Sequence, residues 1–318
     1  MNKKILITGG SGFIGSRLVE ELLSDKNNYI VVIDTMWFGY NLPKHKNLKV
    51  IKEDIRNIRK ISLKGIDTII HLACVANDPS GELNSKMTWE INVLATKLLA
   101  ESASKYNVKN FIYASSGSVY GIKKERKVHE NLSLEPISDY NKTKMIAEKV
   151  LLSYKNEFRL VIVRPATVCG TSMRTRFDVV VNLLTIQALE NQEMTVLGGD
   201  QIRPNVHIND MVRFYIFVLN NKTIKGIFNL GNENISVKNI AMKISKRTNN
   251  SKIIIKKSND PRSYRLDSTK IKDRGFKFLY NVDNAIEDIS NKYFQNLIIN
   301  KPINNNVKYM LLKKLHVE

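Results

Sequence analysis

The chain has 318 residues, of which 43% are hydrophobic and 25% charged, which is typical of a soluble globular protein and not of a disordered or membrane-spanning one. The formal net charge of +20 raises the question of a polyanionic partner. However, the sequence has no aromatic-interleaved basic motif and no nucleic-acid module, so we do not expect it to bind nucleic acid.

Six near-continuous apolar runs, of the kind found in strands buried on both faces, are predicted as strands: KILIT, YIVVID, LKVIK, DTIIHLA, NFIYASS and RLVIVRP. Helical spacing separates several of these runs, at residues 13–25, 82–107 and 139–156. Alternation of strands with helices is the pattern of βαβ units around a parallel sheet. The sequence therefore predicts a doubly wound α/β fold of the Rossmann type.

The regular alternation of strands and helices changes after Pro165, where a loop and a helix precede the short strand TVLGG. A buried helix (NDMVRFYIFVLN), the strand GIFNLG, the helix SVKNIAMKISKR and the strand KIIIKK follow. This pattern predicts a smaller mixed α/β lobe over the carboxyl edge of the sheet, where open α/β sheets bind ligands. We divide the chain into a large domain at 1–170, to which elements of 205–235 could return, a substrate lobe at 171–299, and a polar tail at 300–318 without an assigned role.

Targeting signals and metal-binding patterns are not visible in the sequence. The apolar run at the start meets Gly9 after four residues, and no window approaches the roughly 18 apolar residues needed to cross a bilayer, so we expect a cytoplasmic protein. Two cysteines, Cys74 and Cys169, are too few for a disulfide framework and lack metal-ligand spacing. We expect both to be buried free thiols, and no metal site.

A glycine-rich loop follows the first predicted strand and opens the first predicted helix. Gly9, Gly10, Gly12 and Gly15 stand in ILITGGSGFIGSRL, where one glycine makes a tight turn, one lets the backbone approach a diphosphate, and the last permits close helix packing. The N–H groups at the helix start favour the bound phosphates. This is the arrangement of a dinucleotide site, although a glycine turn alone also occurs for steric reasons.

Asp34 ends the second predicted strand, roughly 20 residues beyond the last glycine, where a carboxylate can bind both ribose hydroxyls. A carboxylate there repels a 2′-phosphate, and no arginine follows it in DTMWFGYN. The loop and the acid together predict NAD as the cofactor, in preference to NADP.

Ser116, Tyr140 and Lys144 form a candidate catalytic set. Tyr140 and Lys144 are four apart on a predicted helix, so they share one face, and a lysine cation beside a positive nicotinamide ring favours the tyrosine phenolate. Ser116 ends a strand and could hold the reacting oxygen. A Tyr-x-x-x-Lys spacing is often only an exposed surface pair, but with the glycine loop and the serine it predicts a hydride-transfer site.

These motifs carry a family resemblance. TGGSGFIGS, Asp34, EDIR, HLAC, INVLAT, ASSGSVYG, YNKTK and VIVRPATVCG follow one another in a familiar order. The sequence resembles the extended short-chain dehydrogenase/reductases, specifically the NAD-dependent epimerase/dehydratase group that acts on nucleotide sugars. VNLL and RPNVHINDM extend the resemblance into the smaller lobe.

The resemblance implies roles for individual residues. The cofactor would contact Gly9, Ser11, Gly12, Phe13, Ile14 and Gly15 with its diphosphate, Asp34 with its ribose, Asp54 and Ile55 with its adenine, and also Leu72, Ala73, Tyr140 and Lys144, with Asn92 supporting the site from behind. Residues 164–168 would approach the nicotinamide and the sugar. The substrate diphosphate would contact Asn182, Arg203 and Arg262, since guanidinium groups suit phosphate oxygens. Asp78, which could meet a sugar hydroxyl, and Ser118 are further candidate substrate contacts. Ser116, Tyr140 and Lys144 would be catalytic.

Two departures from the family pattern limit the function. Nucleotide-sugar 4,6-dehydratases have an Asp-Glu pair after the catalytic hydroxyl, where this chain has Gly117 and Ser118, so we do not expect dehydration. The segment ANDPSGE, with Asp78, is not typical of the epimerases and leaves the sugar open.

We therefore expect an epimerase-type enzyme that oxidises a nucleotide sugar at C4 through a 4-keto intermediate. The alternative is a net 4-dehydrogenase or ketoreductase acting on a nucleotide hexose or heptose. A third alternative, which is not an enzyme, is a dinucleotide-binding or nucleic-acid-binding protein. The resemblance also implies a homodimer that pairs the helices at 82–107 and 139–156.

Overall fold

A computed structural model of the chain describes residues 3–258 and 263–317. Its strands within these ranges are β1 (Lys3–Thr8), β2 (Asn28–Asp34), β3 (Leu48–Lys52), β4 (Thr68–His71), β5 (Asn110–Ala114), β6 (Arg159–Pro165), β7 (Thr167–Cys169), β8 (Glu193–Leu197), β9 (Ile202–His207), β10 (Gly226–Leu230), β11 (Glu233–Ser236) and β12 (Lys252–Lys256). Its α-helices are α1 (Phe13–Leu23), α2 (Asp78–Glu82), α3 (Ser85–Trp89), α4 (Ala95–Lys105), α5 (Asp139–Ser153), α6 (Val180–Asn191), α7 (Ile208–Asn220), α8 (Val237–Arg247), α9 (Thr269–Lys272), α10 (Val282–Phe294) and α11 (Asn306–Leu312).

The main sheet, in the described part of the chain, has seven parallel strands in the order β10-β6-β5-β4-β1-β2-β3. The strand order reverses direction between β1 and β4, which is the switch point where doubly wound sheets bind ligands. The doubly wound Rossmann fold is therefore confirmed. The six strands predicted before Pro165 are all present, and the predicted strand GIFNLG joins the same sheet as β10, beside β6.

Successive side chains of the central strands enter two separate cores, because they point to opposite faces of the sheet. Ile5 and Ile7 of β1 pack in the core that includes α1 and α7. Leu6, between them, packs in the core that includes α4 and α5. Burial on both faces explains why these strands read as unbroken apolar runs.

The smaller lobe has its own core and its own short sheets. β7, β9 and β11 form a mixed sheet, and β8 and β12 pair in parallel. α6, α8 and α10 pack around a core that includes Leu184, Val196 and Ile240. This mixed α/β arrangement agrees with the predicted lobe, whereas the division of the chain at residues 170 and 299 stays a prediction.

The helix predicted at 82–107 differs from the structure at its start. A short helix, α2, ends at Glu82, and a new helix begins at Ser85, because the Asn84 side chain accepts a hydrogen bond from the Met87 N–H as an N-cap. A π-helical turn, Glu90–Leu94, then connects α3 to α4.

The search for membrane spans among the described residues finds no helix long and apolar enough to cross a bilayer. In the same ranges, no group of three histidine, cysteine or acidic residues is placed to hold a metal ion.

Candidate active site

A single continuous cleft of about 670 Å³ runs along the carboxyl edge of the main sheet, a volume in the usual range for ligand sites. It extends from the glycine loop, residues 9–15, past Tyr140 to Arg203 of the smaller lobe. The predicted site residues that line it are Gly9, Ser11, Gly12, Phe13, Ile14, Gly15, Asp34, Asp54, Ile55, Leu72, Ala73, Asp78, Ser116, Ser118, Tyr140, Lys144 and Arg203. The fold therefore brings most of the predicted set to one place.

The glycine loop has the backbone that a diphosphate cradle needs. Gly9 has φ of +72°, which favours glycine, and a Cβ at Gly15 would lie 2.2 Å from the Gly9 carbonyl oxygen. Gly12 is the N-cap of α1 and has no capping side chain, so the N–H groups of the first turn remain available for an anion. These features fit a dinucleotide diphosphate.

Asp34 lies at the end of β2, directly beside the glycine loop. Its carboxylate accepts hydrogen bonds from the Ser11 N–H at 2.9 Å and the Met36 N–H at 2.7 Å, which fixes its orientation. Burial raises the pKa of Asp34, and the two N–H donors oppose that shift. Each carboxylate oxygen keeps a further lone pair for a ribose hydroxyl.

The wall around the expected adenine and nicotinamide positions is also preorganised. Asp54 caps a 3₁₀ turn and pairs with Arg56 at 2.8 Å. Asn92 is 1% exposed, and its amide bonds to both backbone groups of Val75 and to the Thr143 hydroxyl. Asn92 therefore supports the loop after β4 from behind, as the resemblance implied. Its own side chain does not line the cleft.

The predicted catalytic set meets at the ends of β5 and α5. Tyr140 lies in the first turn of α5 and shares a hydrogen bond with Ser116. The Lys144 ammonium donates to the Ala114 carbonyl at 2.8 Å and lies 5.9 Å from the centre of the Tyr140 ring. Lys144 is only 2% exposed, so its charge acts on Tyr140 with little solvent screening.

The pKa of Tyr140 lies well above its ordinary value near 10, and the largest cause is desolvation by burial. The Cys74 and Asp78 groups raise this pKa further, whereas the Ser116 hydrogen bond and the Arg176 charge lower it. The protein's own groups therefore favour the neutral phenol, whereas the expectation from the sequence relied on Lys144 together with the positive nicotinamide ring.

Ser118 and Asn141 extend the hydrogen bonding around Ser116. The hydroxyls of Ser116 and Ser118 are 2.7 Å apart, and the Ser118 hydroxyl donates to the Asn141 side-chain oxygen. Asn141 follows Tyr140 on α5 and is buried. These hydrogen bonds tie the Ser116 hydroxyl to the first turn of α5.

Asp78 lies on the other side of the cleft, at the start of α2. Its carboxylate accepts a hydrogen bond of 2.6 Å from Ser138, the N-cap residue of α5. Asp78 therefore fixes the entry to the catalytic helix besides facing the cleft.

Two predicted ligand assignments are corrected by the structure. Asn182 is fully buried, and its amide is taken up by the Gly170 N–H, the Gly170 carbonyl and the Arg176 carbonyl, so it shapes a loop and does not reach a diphosphate. Arg164 is 3% exposed and pairs with Glu148 at 2.6 Å behind the site, whereas residues 165–168 do line the cleft. Arg262 lies outside the described residues.

The two cysteines are both free, but only Cys169 is buried as expected. Cys74 is partly exposed and lines the cleft near Tyr140. The apolar run around Cys74 led to the prediction that it is buried. The strand β4 ends at His71, however, and Cys74 lies in the segment after it, which lines the cleft.

The sequence reasoning missed the loop that connects β7 to α6. Arg174, Arg176 and Asp178 of this loop line the cleft, and Arg176 pairs with Asp178 at 2.9 Å. Asn306 and Met310 of α11 line it as well. The signal available in the sequence was two arginines and an aspartate in a loop directly after a predicted strand, at the edge where ligands bind.

Comparison with known proteins agrees with this site. The family model that matches residues 5–231 is described as the NAD dependent epimerase/dehydratase family. The chain belongs to this family. The predicted family and the predicted cofactor, NAD, are both confirmed.

Curated relatives of this family member include an uncharacterized UDP-glucose epimerase, YtcB, of Bacillus subtilis, which is 38% identical over 231 residues, 68% of this chain and 72% of the relative. A putative UDP-glucose 4-epimerase of Methanocaldococcus jannaschii is 30% identical over 236 residues, 71% of this chain and 76% of the relative.

Among solved structures, the UDP-glucuronic acid 4-epimerase of Bacillus cereus, in complex with UDP-glucuronic acid and NAD, is 27% identical with a TM-score of 0.79, covering 93% of this chain and 100% of that one. MoeE5 in complex with UDP-glucuronic acid and NAD is 26% identical with a TM-score of 0.83, at 93% and 100% coverage. The family also includes dehydratases and decarboxylases. The chain is thus an NAD-dependent enzyme of the nucleotide-sugar epimerase family.

Proposed function

We propose that the enzyme epimerises a nucleotide sugar at C4 through a 4-keto intermediate. The observation that carries this proposal is the catalytic arrangement itself: Tyr140 and Ser116 share a hydrogen bond beside the buried Lys144, at the carboxyl edge of the sheet. The named relatives, two of them UDP-glucose epimerases and one a UDP-glucuronic acid 4-epimerase, support the reaction class.

Tyr140 acts as the base in the proposed mechanism. Ser116 holds the sugar 4-oxygen, and Tyr140 takes the proton from the 4-hydroxyl and later returns it. Bound NAD supplies the hydride acceptor and donor. The sugar turns over within the cleft between the two hydride steps, so that the second step occurs on its other face.

Cationic groups near Tyr140 favour its phenolate and work against the larger effect of burial. Lys144 lies one turn along α5, and the Arg176 charge lowers the Tyr140 pKa. A phenolate forms more easily when such cations are close and poorly screened. The positively charged nicotinamide ring of NAD acts in the same direction.

The composition around Ser116 argues against loss of water. Dehydration at C5 and C6 needs an acid and a base besides the tyrosine, and Gly117 supplies no side chain while Ser118 is hydrogen-bonded to Ser116 and Asn141. We therefore propose an epimerase and not a 4,6-dehydratase. Asp78, Ser118 and Arg203, which line the cleft, are proposed as contacts of the sugar and its diphosphate.

The test is a panel of UDP-, GDP-, CDP- and dTDP-sugars incubated with the purified enzyme, with NADH absorbance and product stereochemistry followed together. The proposal expects a C4 epimer and no net NADH. Accumulating NADH with a released 4-keto sugar would instead indicate a net dehydrogenase, the alternative reading of the same residues.

A further inference from the structure

The C-terminal segment, residues 302–317, which we call the strap, contributes Asn306 and Met310 to the lining of the cleft. Its Met310 is 2% exposed in the core beneath the sheet, and Tyr309 contacts the Phe38 ring at 5.7 Å. Its Asn306 backbone N–H donates to Asp178 at 3.1 Å. The strap therefore packs against both the loop after β2 and the loop between β7 and α6, which also contact each other where Arg174 stacks on Phe38.

Arg174 is the residue that the strap holds most closely. Its guanidinium donates to the Asn306 side-chain oxygen at 2.6 Å and to the Ile303 carbonyl at 3.1 Å, and it stacks over Phe38 at 4.2 Å. Arg174 is only 4% exposed. A long cationic side chain is thus fixed in one direction by the strap and by an aromatic ring.

The charge of Arg174 forms no ion pair among the described residues, although Asp178, the ion-pair partner of Arg176, is close enough to act on it. Among the described residues, the lysines and arginines that line the cleft are Lys144, Arg174, Arg176 and Arg203. Arg176 is paired with Asp178, and Lys144 lies at the catalytic tyrosine, but no ion pair found in the described ranges includes Arg174, and its Nε has no hydrogen-bond acceptor. Burial is the largest cause that lowers the pKa of Arg174 to about 9; the Arg176 charge lowers it further, and the Asp178 charge opposes both. An anion beside the guanidinium would favour its charged form.

The glycine loop, which is tied to the loop that carries Phe38, is expected to bind the cofactor diphosphate. Phe38, on which Arg174 stacks, is in the loop tied to the glycine loop, since the Ser11 hydroxyl donates to the Gly39 carbonyl at 2.9 Å and accepts from the Asn41 N–H at 2.9 Å. The glycine loop itself contains no lysine or arginine. It offers a doubly negative diphosphate backbone N–H groups and no cationic side chain, so a nearby cation would add to its binding.

We propose that the strap presents Arg174 to the diphosphate of bound NAD, so that the glycine loop and Arg174 hold the cofactor from two sides. Asn306 and Ile303 of the strap are then part of the cofactor site through their contacts with Arg174, and NAD exchanges faster when the guanidinium is removed. Arg174 and Asn306 act in cofactor binding and not in proton transfer.

The experiment measures the affinity of three ligands for Arg174→Met, in which the longer apolar part of the side chain is kept. NAD and ADP-ribose carry the diphosphate, and adenosine does not. We expect Arg174→Met to weaken NAD and ADP-ribose by about tenfold to a hundredfold, the usual range for one charge-assisted contact, and to leave adenosine within twofold. The rate at which bound NAD exchanges for labelled NAD should increase by a similar factor.

Lys308→Met is the matched control, because Lys308 is a cation on the exposed side of the same helix, α11. It should bind all three ligands like the unchanged protein. Arg174→Lys should recover part of the lost affinity, since it restores the charge without the planar guanidinium.

Three results would overturn the proposal: unchanged NAD affinity in Arg174→Met, an equal loss for NAD and adenosine, or a loss confined to nucleotide sugars. If Arg174→Met melts far below the unchanged protein, Asn306→Ala carries the same test, since it removes the acceptor that orients Arg174. A failure of the epimerase proposal would not affect these binding measurements, which need no sugar substrate.

Discussion

Tyr140 shows how a single residue depends on its surroundings for its chemistry. Burial raises the pKa of its hydroxyl, and the neighbouring Asp78 adds to that effect. The Ser116 hydrogen bond and the Arg176 charge oppose it. The strength of the tyrosine as a base therefore depends on its burial as well as on the charges near it, and substitution of the hydroxyl should stop the reaction without disturbing the fold.

Tyr140→Phe should lower kcat by about 10²- to 10⁴-fold, the usual contribution of a positioned proton-transfer group. NAD binding should change little, because the ring still fills its place. Steady-state kinetics and NAD titration measure the two effects. Tyr154→Phe, at the far end of α5, is the control, and a comparable loss in that variant would contradict the role given to Tyr140.

Asp178→Asn tests the charged pair that faces Tyr140 from the smaller lobe. The substitution leaves the largely buried Arg176 without its partner, which should lower the free energy of unfolding by about 3–5 kcal/mol. Arg176 holds the pKa of Asp178 below its ordinary value of 3.8, so the stabilisation is present above that pH and is lost as the pH falls through the folded-state pKa.

Urea unfolding of both proteins between pH 7 and pH 3 measures this difference. The gap between Asp178→Asn and the unchanged protein should stay constant above about pH 4 and narrow below it. A gap that widens in acid would mean that Asp178 is not held in its charged form.

The positions of side chains were predicted well where a short local motif defines them. They were predicted poorly where a hydrogen-bond or ion-pair partner far away in the sequence determines them. The glycines, Asp34 and the Ser116, Tyr140 and Lys144 set follow from short spacings, and the structure brings them into one cleft. Asn182 and Arg164 were misplaced because their partners, Gly170 and Glu148, are known only once the chain is folded. Arg174 and Asn306 lie 132 residues apart, so no local pattern could connect them.

Secondary-structure elements position the catalytic groups through their ends. Tyr140 lies in the first turn of α5, directly after the N-cap Ser138. The Ser138 side chain accepts from the Asn141 N–H at 3.2 Å and donates to Asp78 at 2.6 Å. The start of the helix, and with it the tyrosine, is therefore tied to the loop after β4.

Ser138→Ala should lower the free energy of unfolding by about 1 kcal/mol, the usual cost of losing an N-cap. It should also lower kcat several-fold, because the first turn of α5 is less firmly held. Thermal unfolding and kinetics measure the two effects. Ser153→Ala, which changes an exposed serine in the last turn of the same helix, should change neither, and equal effects of both variants would rule out a special role for the cap.

The sequence predicted the elements of the main sheet closely, because buried parallel strands are continuous apolar runs. The helix at 82–107 was placed less well, since the N-cap Asn84 and the π-helical turn depend on which backbone groups are satisfied. The strap was left without a role because its helix is short and its buried face consists of few residues, such as Asn306 and Met310.

At the scale of the whole molecule, the two lobes meet along the cleft, and the strap connects the loops on both sides of it. The main sheet provides the glycine loop, Asp34 and the catalytic helix, while the smaller lobe contributes Arg176 and Arg203. Each lobe has its own core. The distances between site residues of different lobes therefore depend on the contacts that join the two lobes.

We also predict a homodimer formed through α4 and α5. Both regions expose leucine side chains: Leu94, directly before α4, is 50% exposed, and Leu152 of α5 is 37% exposed. Light scattering at micromolar concentration should give twice the chain mass of 36.4 kDa. Leu152→Glu should shift the protein toward the monomer, and a monomeric unchanged protein would contradict the prediction.

The most direct test of the central claim uses a nucleotide sugar that carries deuterium at C4. If the enzyme is a C4 epimerase, the same hydride leaves and returns within one bound cycle, so the product epimer should retain the deuterium at C4, with no NADH released. Loss of the label to free NADH, or a 6-deoxy-4-keto product, would contradict the account.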